Sequence, residues 1–411
     1  MRENREKLTQ TVHELLVINL FMNIITYVFL FLALLMIPRL REERMLCIVI
    51  GFTIILTSIG MEWFYKALEK YTYITIRSLI FKFIALIAMF LLIHKETDYV
   101  IYGAITIFAA SASNIFNFIN IRKYIDMKPR KSYNLRQHMK PILVLFAVAC
   151  AGAIYTNLDT VMLGLMTTNE EVGYYNAAVK IKCILVGIVT SLGAVLLPRV
   201  SYYVEQNLWS EFQNISKKAI NFVIVVATPM MVFFISFAKQ GIYFLSGEAF
   251  ARSVIPMQII MPTFLMIGIT NILGIQILVP LGKEKVVLYS EIAGAVIDMI
   301  LNALLIPRYA STGAAIGTLV AEGVVFVVQY VYLKNEVKFM FKSVQYHKIM
   351  VALLVGTLLT IRIPSMGLGN FLTLMISACI YFGVYGVVLV VSKEPLSNEI
   401  CKQLIVKIKK R

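Results

Sequence analysis

The sequence predicts an all-α integral membrane protein of about 12 transmembrane helices, and three observations predict it. Apolar stretches recur along the whole chain at the length of ~20 residues that a helix needs to cross a hydrocarbon core of ~30 Å. The composition is 59% hydrophobic and only 15% charged, a balance that would leave a soluble 411-residue chain covered in apolar surface. The basic residues, which give a formal net charge of +16, collect in the short connectors between the apolar stretches rather than in a patch. Such a charge in a soluble protein would suggest nucleic acid; here the positive-inside rule explains it, and no nucleic-acid partner is expected.

Taken in order, the expected spans are 14–37, 45–64, 77–94, 99–121, 141–166, 172–197, 218–238, 253–280, 286–306, 312–333, 348–363 and 369–391. The first, from Leu15 to Ile37, is longer than a signal-peptide h-region of ~7–15 residues and lacks a small-residue cleavage site after it, so it reads as an anchor. Placing both termini in the cytoplasm puts most of the 39 Lys and Arg on the inner side; one outer connector, Pro38 to Arg44, holds three arginines, partly offset by Glu42 and Glu43. The longest inner connector, 122–140, carries Arg122, Lys123, Lys128, Arg130, Lys131, Arg136 and Lys140 and reads as a basic linker between two lobes. It separates an N-terminal lobe of four spans (1–121) from a C-terminal lobe of six (141–333). An additional transmembrane hairpin (334–391) and a basic tail (392–411) follow. In that tail Leu396, Ile400, Leu404 and Ile408 recur at helical spacing, the pattern of an amphipathic segment lying on the inner surface or of a solvated basic tail.

The connectors and motifs exclude several classes. No outer connector is long enough for a folded domain that could hold a sugar donor and a catalytic base, and His13, His94, His138 and His347 are scattered, which disfavours a membrane glycan polymerase or acyltransferase. The sequence has no GxxxxGK[ST] phosphate loop, HExxH helix or GxSxG elbow, so ATP-driven transport and intramembrane hydrolysis lack their machinery. Its five cysteines form no CxxC pair, and neither a metal nor a cofactor is expected. The protein should therefore be a transporter rather than an enzyme, drawing on an ion or substrate gradient.

Charge inside a membrane span is costly, so the intramembrane polar residues carry the functional reading. Asp159 lies in the fifth span, with Asn176, Lys180 and Lys182 in the sixth; the Asp and Lys residues could form an ion pair or line one aqueous cavity from two sides. In the ninth span Glu291, Asp298 and Asn302 fall at i, i+7 and i+11 and project from one face. Glu322 and Gln329 repeat the seven-residue spacing in the tenth. Two hairpin-linked helices could thus present three carboxylates to one interior space suited to proton or sodium binding, or Glu291 and Glu322 could sit wet near the headgroups. Arg77 and Lys82 open the third span and could receive a phosphate or snorkel to the interface. Asn114, Asn117 and Asn120 line the end of the fourth span. Pro256, Pro262 and Pro280, with Gly268 and Gly274, interrupt the eighth, as in the broken helices of transporters. Gly313-Ala314-Ala315-Ile316-Gly317 reads as a small-residue contact for close helix packing.

Three segments carry a family resemblance: Asn157-Leu158-Asp159-Thr160-Val161-Met162-Leu163-Gly164, then Glu170-Glu171-Val172-Gly173-Tyr174-Tyr175-Asn176-Ala177-Ala178, and then Leu197-Pro198-Arg199-Val200-Ser201. Weaker echoes run from Glu62 to Glu69 and from Leu278 to Lys285. With these the chain resembles the oligosaccharide flippases of polysaccharide biosynthesis, in the superfamily that also holds the multidrug and toxin extruders and the lipid II flippase. The resemblance implies a MATE-like fold of two bundles around a V-shaped central cavity, with two further helices at the carboxyl end. It implies alternating-access export of an undecaprenyl-diphosphate-linked oligosaccharide for capsule, O-antigen, exopolysaccharide or a teichoic-type polymer. It also implies residence in a bacterial cytoplasmic membrane, among membrane lipids and beside polymerase and chain-length machinery. A basic, hydrated cavity would take the diphosphate and sugars, with Asp159, Lys180 and Arg199 in the matching motifs. Family members usually begin with two more helices, and Met1 to Gln10 looks like the connector that follows them, so the N-terminal lobe is expected to be incomplete. A cation-coupled multidrug exporter or a lipid II flippase is the alternative within the same fold.

Overall fold

A computed structural model describes residues 5–68, 70–126, 128 and 133–398. Among these residues the chain is helical almost throughout and contains no strand. Ten helical segments are long and apolar enough to cross a membrane. The longest, Glu284–Tyr332, turns back on itself at Ala310 and so supplies two of the expected spans. The expected span 141–166 falls within a further helix, Arg136–Met166. All twelve expected spans therefore lie on helical chain. Phe29, Phe31, Phe83 and Phe90 are among the many large apolar side chains left exposed, as a surface facing lipid requires.

The chain divides into two compact units, Met1–Val148 and Ala149–Arg411. In the first, the helix Arg5–Met36 and the helix Arg44–Gly60 are joined by a short helical turn, Pro38–Glu42. They run side by side in opposite directions, with the Tyr27 hydroxyl donating to the Gly51 carbonyl at 3.0 Å. A small core of Val12, Met61, Phe64, Tyr65, Ile74, Ile121 and Ile125 closes one end of this unit. Asn114 packs so tightly on Gly60 that a Cβ there would collide with its side chain. The Asn117 amide donates to the Gly60 carbonyl at 2.6 Å, and the Tyr65 hydroxyl donates to the Asn117 carbonyl at 2.7 Å.

The linker is fastened to the first helix. Glu14, fully buried, accepts hydrogen bonds from the Asn134 N–H (2.8 Å), the Gln137 amide (2.8 Å) and the Gln10 amide (3.1 Å), and lies 2.7 Å from His138 Nε2. A buried carboxylate is tolerated only when donors surround it in this way.

The second unit is built on a larger core running from Leu163 to Leu389. Helix Val254–Asn271 gives way to a π-helical turn, Ile272–Leu278, at the segment whose prolines and glycines mark it as broken. The last two spans, Tyr346–Thr360 and Asn370–Val391, pack on this unit, the Tyr385 hydroxyl donating to the Val225 carbonyl at 2.8 Å. Residues 399–411, most of the expected amphipathic tail, lie outside the described residues.

Candidate functional site

The hairpin Glu284–Tyr332 organises the site. Pro307 and the positive φ of Ala310 (φ 47°, ψ −126°) reverse the chain, after which the two arms run antiparallel in close contact. Gly313 and Gly317 permit that contact: a Cβ on Gly313 would lie 2.5 Å from the Leu305 carbonyl oxygen, and one on Gly317 would collide with Asn302 Oδ1 and sit 3.1 Å from Asp298 Oδ1. Further along, the Gln329 amide donates to Ser290 Oγ at 3.0 Å. The tip is held by Glu171, which accepts from the Ser311 N–H (3.1 Å) and the Ser311 hydroxyl (2.6 Å) and pairs with Arg252 at 2.8 Å.

Between these arms and the helices Arg136–Met166 and Asn169–Glu205 lies a buried polar cluster centred on Asp159. Its Oδ2 accepts from the Tyr175 hydroxyl at 2.5 Å and the Thr318 hydroxyl at 2.8 Å, and its Oδ1 accepts from the Asn302 amide at 2.6 Å. Tyr175 and Thr318 are themselves 2.9 Å apart. Asp298 lines the same cavity as Asp159, together with Glu322 and Lys182. Carboxyl groups gathered in one poorly hydrated space repel one another unless a proton or a cation offsets their charge. Two buried oxygens, Asp298 Oδ1 and Asn302 Oδ1, have no hydrogen-bond partner, and both face Gly317.

The cluster forms one wall of a cavity of about 390 Å³ lined also by Lys182, Asn271, Glu291, Glu322 and Gln329. Four carboxyl residues and one lysine line it, so it is acidic and suited to a cation.

The structure brings together Asp159, Lys182, Glu291, Asp298, Asn302 and Glu322 and leaves out Lys180, Asn176 and Arg199. The expected partnership of Asp159 with Lys180 does not form. On the Asn169–Glu205 helix the face bearing Tyr175, Val179, Lys182 and Val186 turns inward, and Asn176 and Lys180 are rotated off it and exposed. Asn176 Oδ1 accepts only a long bond, 3.4 Å, from the Thr160 hydroxyl. Arg199 is exposed. The cavity inside the second unit carries an acidic surplus.

Arg77 and Lys82, in the first unit, separate. Lys82 is exposed, whereas Arg77 is buried, donates to Asn114 Oδ1 at 3.4 Å and approaches Glu62 at 4.0 Å. Burial removes the snorkelling explanation for Arg77. Tyr175, Thr318 and Glu171 were not singled out by charge and spacing, because neutral hydroxyls and an interface glutamate have no signature until the hairpin folds.

Carboxyl groups lining a cavity inside a bundle of long apolar helices define the class: a polytopic α-helical membrane protein. Residues 1–204 match the family described as polysaccharide biosynthesis protein, and residues 145–304 match the MatE family. A protein of Escherichia coli (strain K12) named as an O-antigen transporter is 21% identical over 335 residues, 81% of this chain and 80% of that one. One of Shigella dysenteriae with the same name is 25% identical over 268 residues, 63% of this chain and 65% of its own length. The fold is that of the lipid II flippase MurJ in an inward closed conformation, at TM-score 0.67 and 16% identity, covering 95% of this chain and 84% of that one. The chain is thus similar in sequence to polysaccharide biosynthesis proteins over its first half and to MatE proteins over its middle.

Proposed function

We propose that this protein flips a lipid-linked oligosaccharide, carried on undecaprenyl diphosphate, across a bacterial cytoplasmic membrane for cell-surface polysaccharide synthesis, and that cation or proton binding in the second unit couples the cycle. The similarity to a protein named as an O-antigen transporter over 81% of the chain carries the substrate class. The gathering of Asp159 and Asp298 in one cavity, beside two unpartnered oxygens, supports the coupling. Such a cluster changes its repulsion when H+ or Na+ enters or leaves, and it grips both arms of the hairpin, so occupancy is tied to helix position. The diphosphate needs several cationic groups, and Lys182 alone among four carboxyl residues matches it poorly, which favours the ion over the headgroup in this cavity.

The match of residues 145–304 to MatE, together with the acidic lining, favours a second reading, export of an organic cation. Reconstituted protein presented with a purified undecaprenyl-diphosphate-linked glycan and, separately, with a fluorescent cationic drug distinguishes the two. Glycan flux without drug flux is expected, and flux of the drug alone would reject the proposal.

A further inference from the structure

The groove between the helices Arg5–Met36 and Arg44–Gly60 is unlike the acidic cavity. It encloses about 480 Å³ and is lined by Asn19, Asn23, Thr53, Thr57, Ser58 and the indole of Trp63, with Ile54 as its one aliphatic contact. No charged group lines it. Asn19 and Asn23 fall about midway along the span Leu8–Met36, and Thr53 and Thr57 about midway along Arg44–Ala67. They therefore sit at the depth where polar groups are most expensive. Among the described residues none of these five amide and hydroxyl side chains makes a hydrogen bond, in contrast to Asn117 and Tyr65 of the same unit. Toward the Pro38 turn the same two helices form an apolar groove bounded by Leu30, Leu34 and Ile48.

Charge selects among ligands. A diphosphate calls for Arg or Lys, which this groove lacks, and an organic cation would find the Trp63 ring face with no carboxylate beside it. Amides and hydroxyls that both donate and accept, beside an exposed aromatic face, match a sugar ring, whose hydroxyls do the same and whose C–H face stacks on indole. We propose that this groove is a subsite for neutral sugar rings of the transported glycan, holding them at mid-membrane while the anchor stays in lipid. The proposal rests on the flippase reading above and adds to it where the sugars go.

The chain has two tryptophans, so Trp209→Phe leaves Trp63 as the sole indole reporter in the full-length protein. In nanodiscs, Trp63 emission is titrated with sugar-free undecaprenyl diphosphate and with undecaprenyl diphosphate bearing a hexose, an N-acetylhexosamine or a 6-deoxyhexose. The expected result is a saturable change with at least one sugar-bearing lipid, at an affinity on the order of tenfold above the sugar-free lipid. Asn23→Ala and the isosteric Thr57→Val should erase that difference. A Thr57→Val protein with unchanged circular dichroism and unchanged affinity for the sugar-free lipid ties the loss to the groove. Equal affinities for all four lipids, in a protein that still flips a lipid-linked glycan, would overturn the sugar subsite and leave the flippase reading standing. Absence of glycan flux in the wild-type protein would instead remove that reading and this proposal with it.

Discussion

Asp159 is the residue on which the candidate site turns, because three donors from three different helical segments converge on it. Replacing Tyr175 by Phe or Thr318 by Val removes one donor from a buried carboxylate. Each change should destabilise the protein by about 1.5–3 kcal/mol, the usual worth of a hydrogen bond to a charged group, read as a lowered melting temperature in detergent. Gly317→Ala drives a methyl into Asn302 and Asp298 and should cost about 1–3 kcal/mol by overpacking, with transport lost before folding is. An unchanged melting temperature for all three variants would mean that the cluster is loose. The charged members of this cluster were legible in the sequence, since charge inside an apolar run and spacing of seven or eleven residues are visible without a fold. Tyr175 and Thr318 were not, because a hydroxyl is unremarkable until a partner from a distant segment arrives. Lys180 misled for a related reason: two lysines two residues apart cannot share a helix face, and only packing decides which turns inward.

At the scale of elements, the hairpin is the part that moves the site's residues together. Ala310 holds φ 47° and ψ −126°, a conformation that an L side chain rarely adopts and glycine accepts readily. Ala310→Gly should therefore stabilise the protein by about 1 kcal/mol, measured by thermal unfolding, and a loss of stability would show that the turn is not strained. Glu171→Ala strips the Ser311 N–H and hydroxyl of their acceptor and should destabilise the tip by about 1–3 kcal/mol while leaving glycan affinity unchanged. The helices themselves were readable from hydropathy, because a bilayer imposes length and apolarity on every span. The break in the eighth span was readable too, from its prolines and glycines. What hydropathy could not give is that Gly317 does more than pack helices: it opens room for Asn302 and Asp298, while Gly313 lets the arm approach the Leu305 backbone.

For the molecule as a whole, polarity is divided between sites. An acidic cavity in the second unit suits an ion, and an uncharged polar groove in the first suits sugars. The net charge of +16 foretells the polarity of neither. That charge follows membrane orientation, whereas the cavities are set by the few polar residues within spans. The most direct test of ion coupling is flux of an undecaprenyl-diphosphate-linked glycan in proteoliposomes under an imposed Na+ or H+ gradient, comparing the wild type with Asp298→Asn. The wild type should accelerate when one of the two gradients is imposed, and Asp298→Asn, still folded and still binding the lipid, should lose that acceleration. Equal flux with and without either gradient in the wild type, or full gradient response in Asp298→Asn, would contradict it.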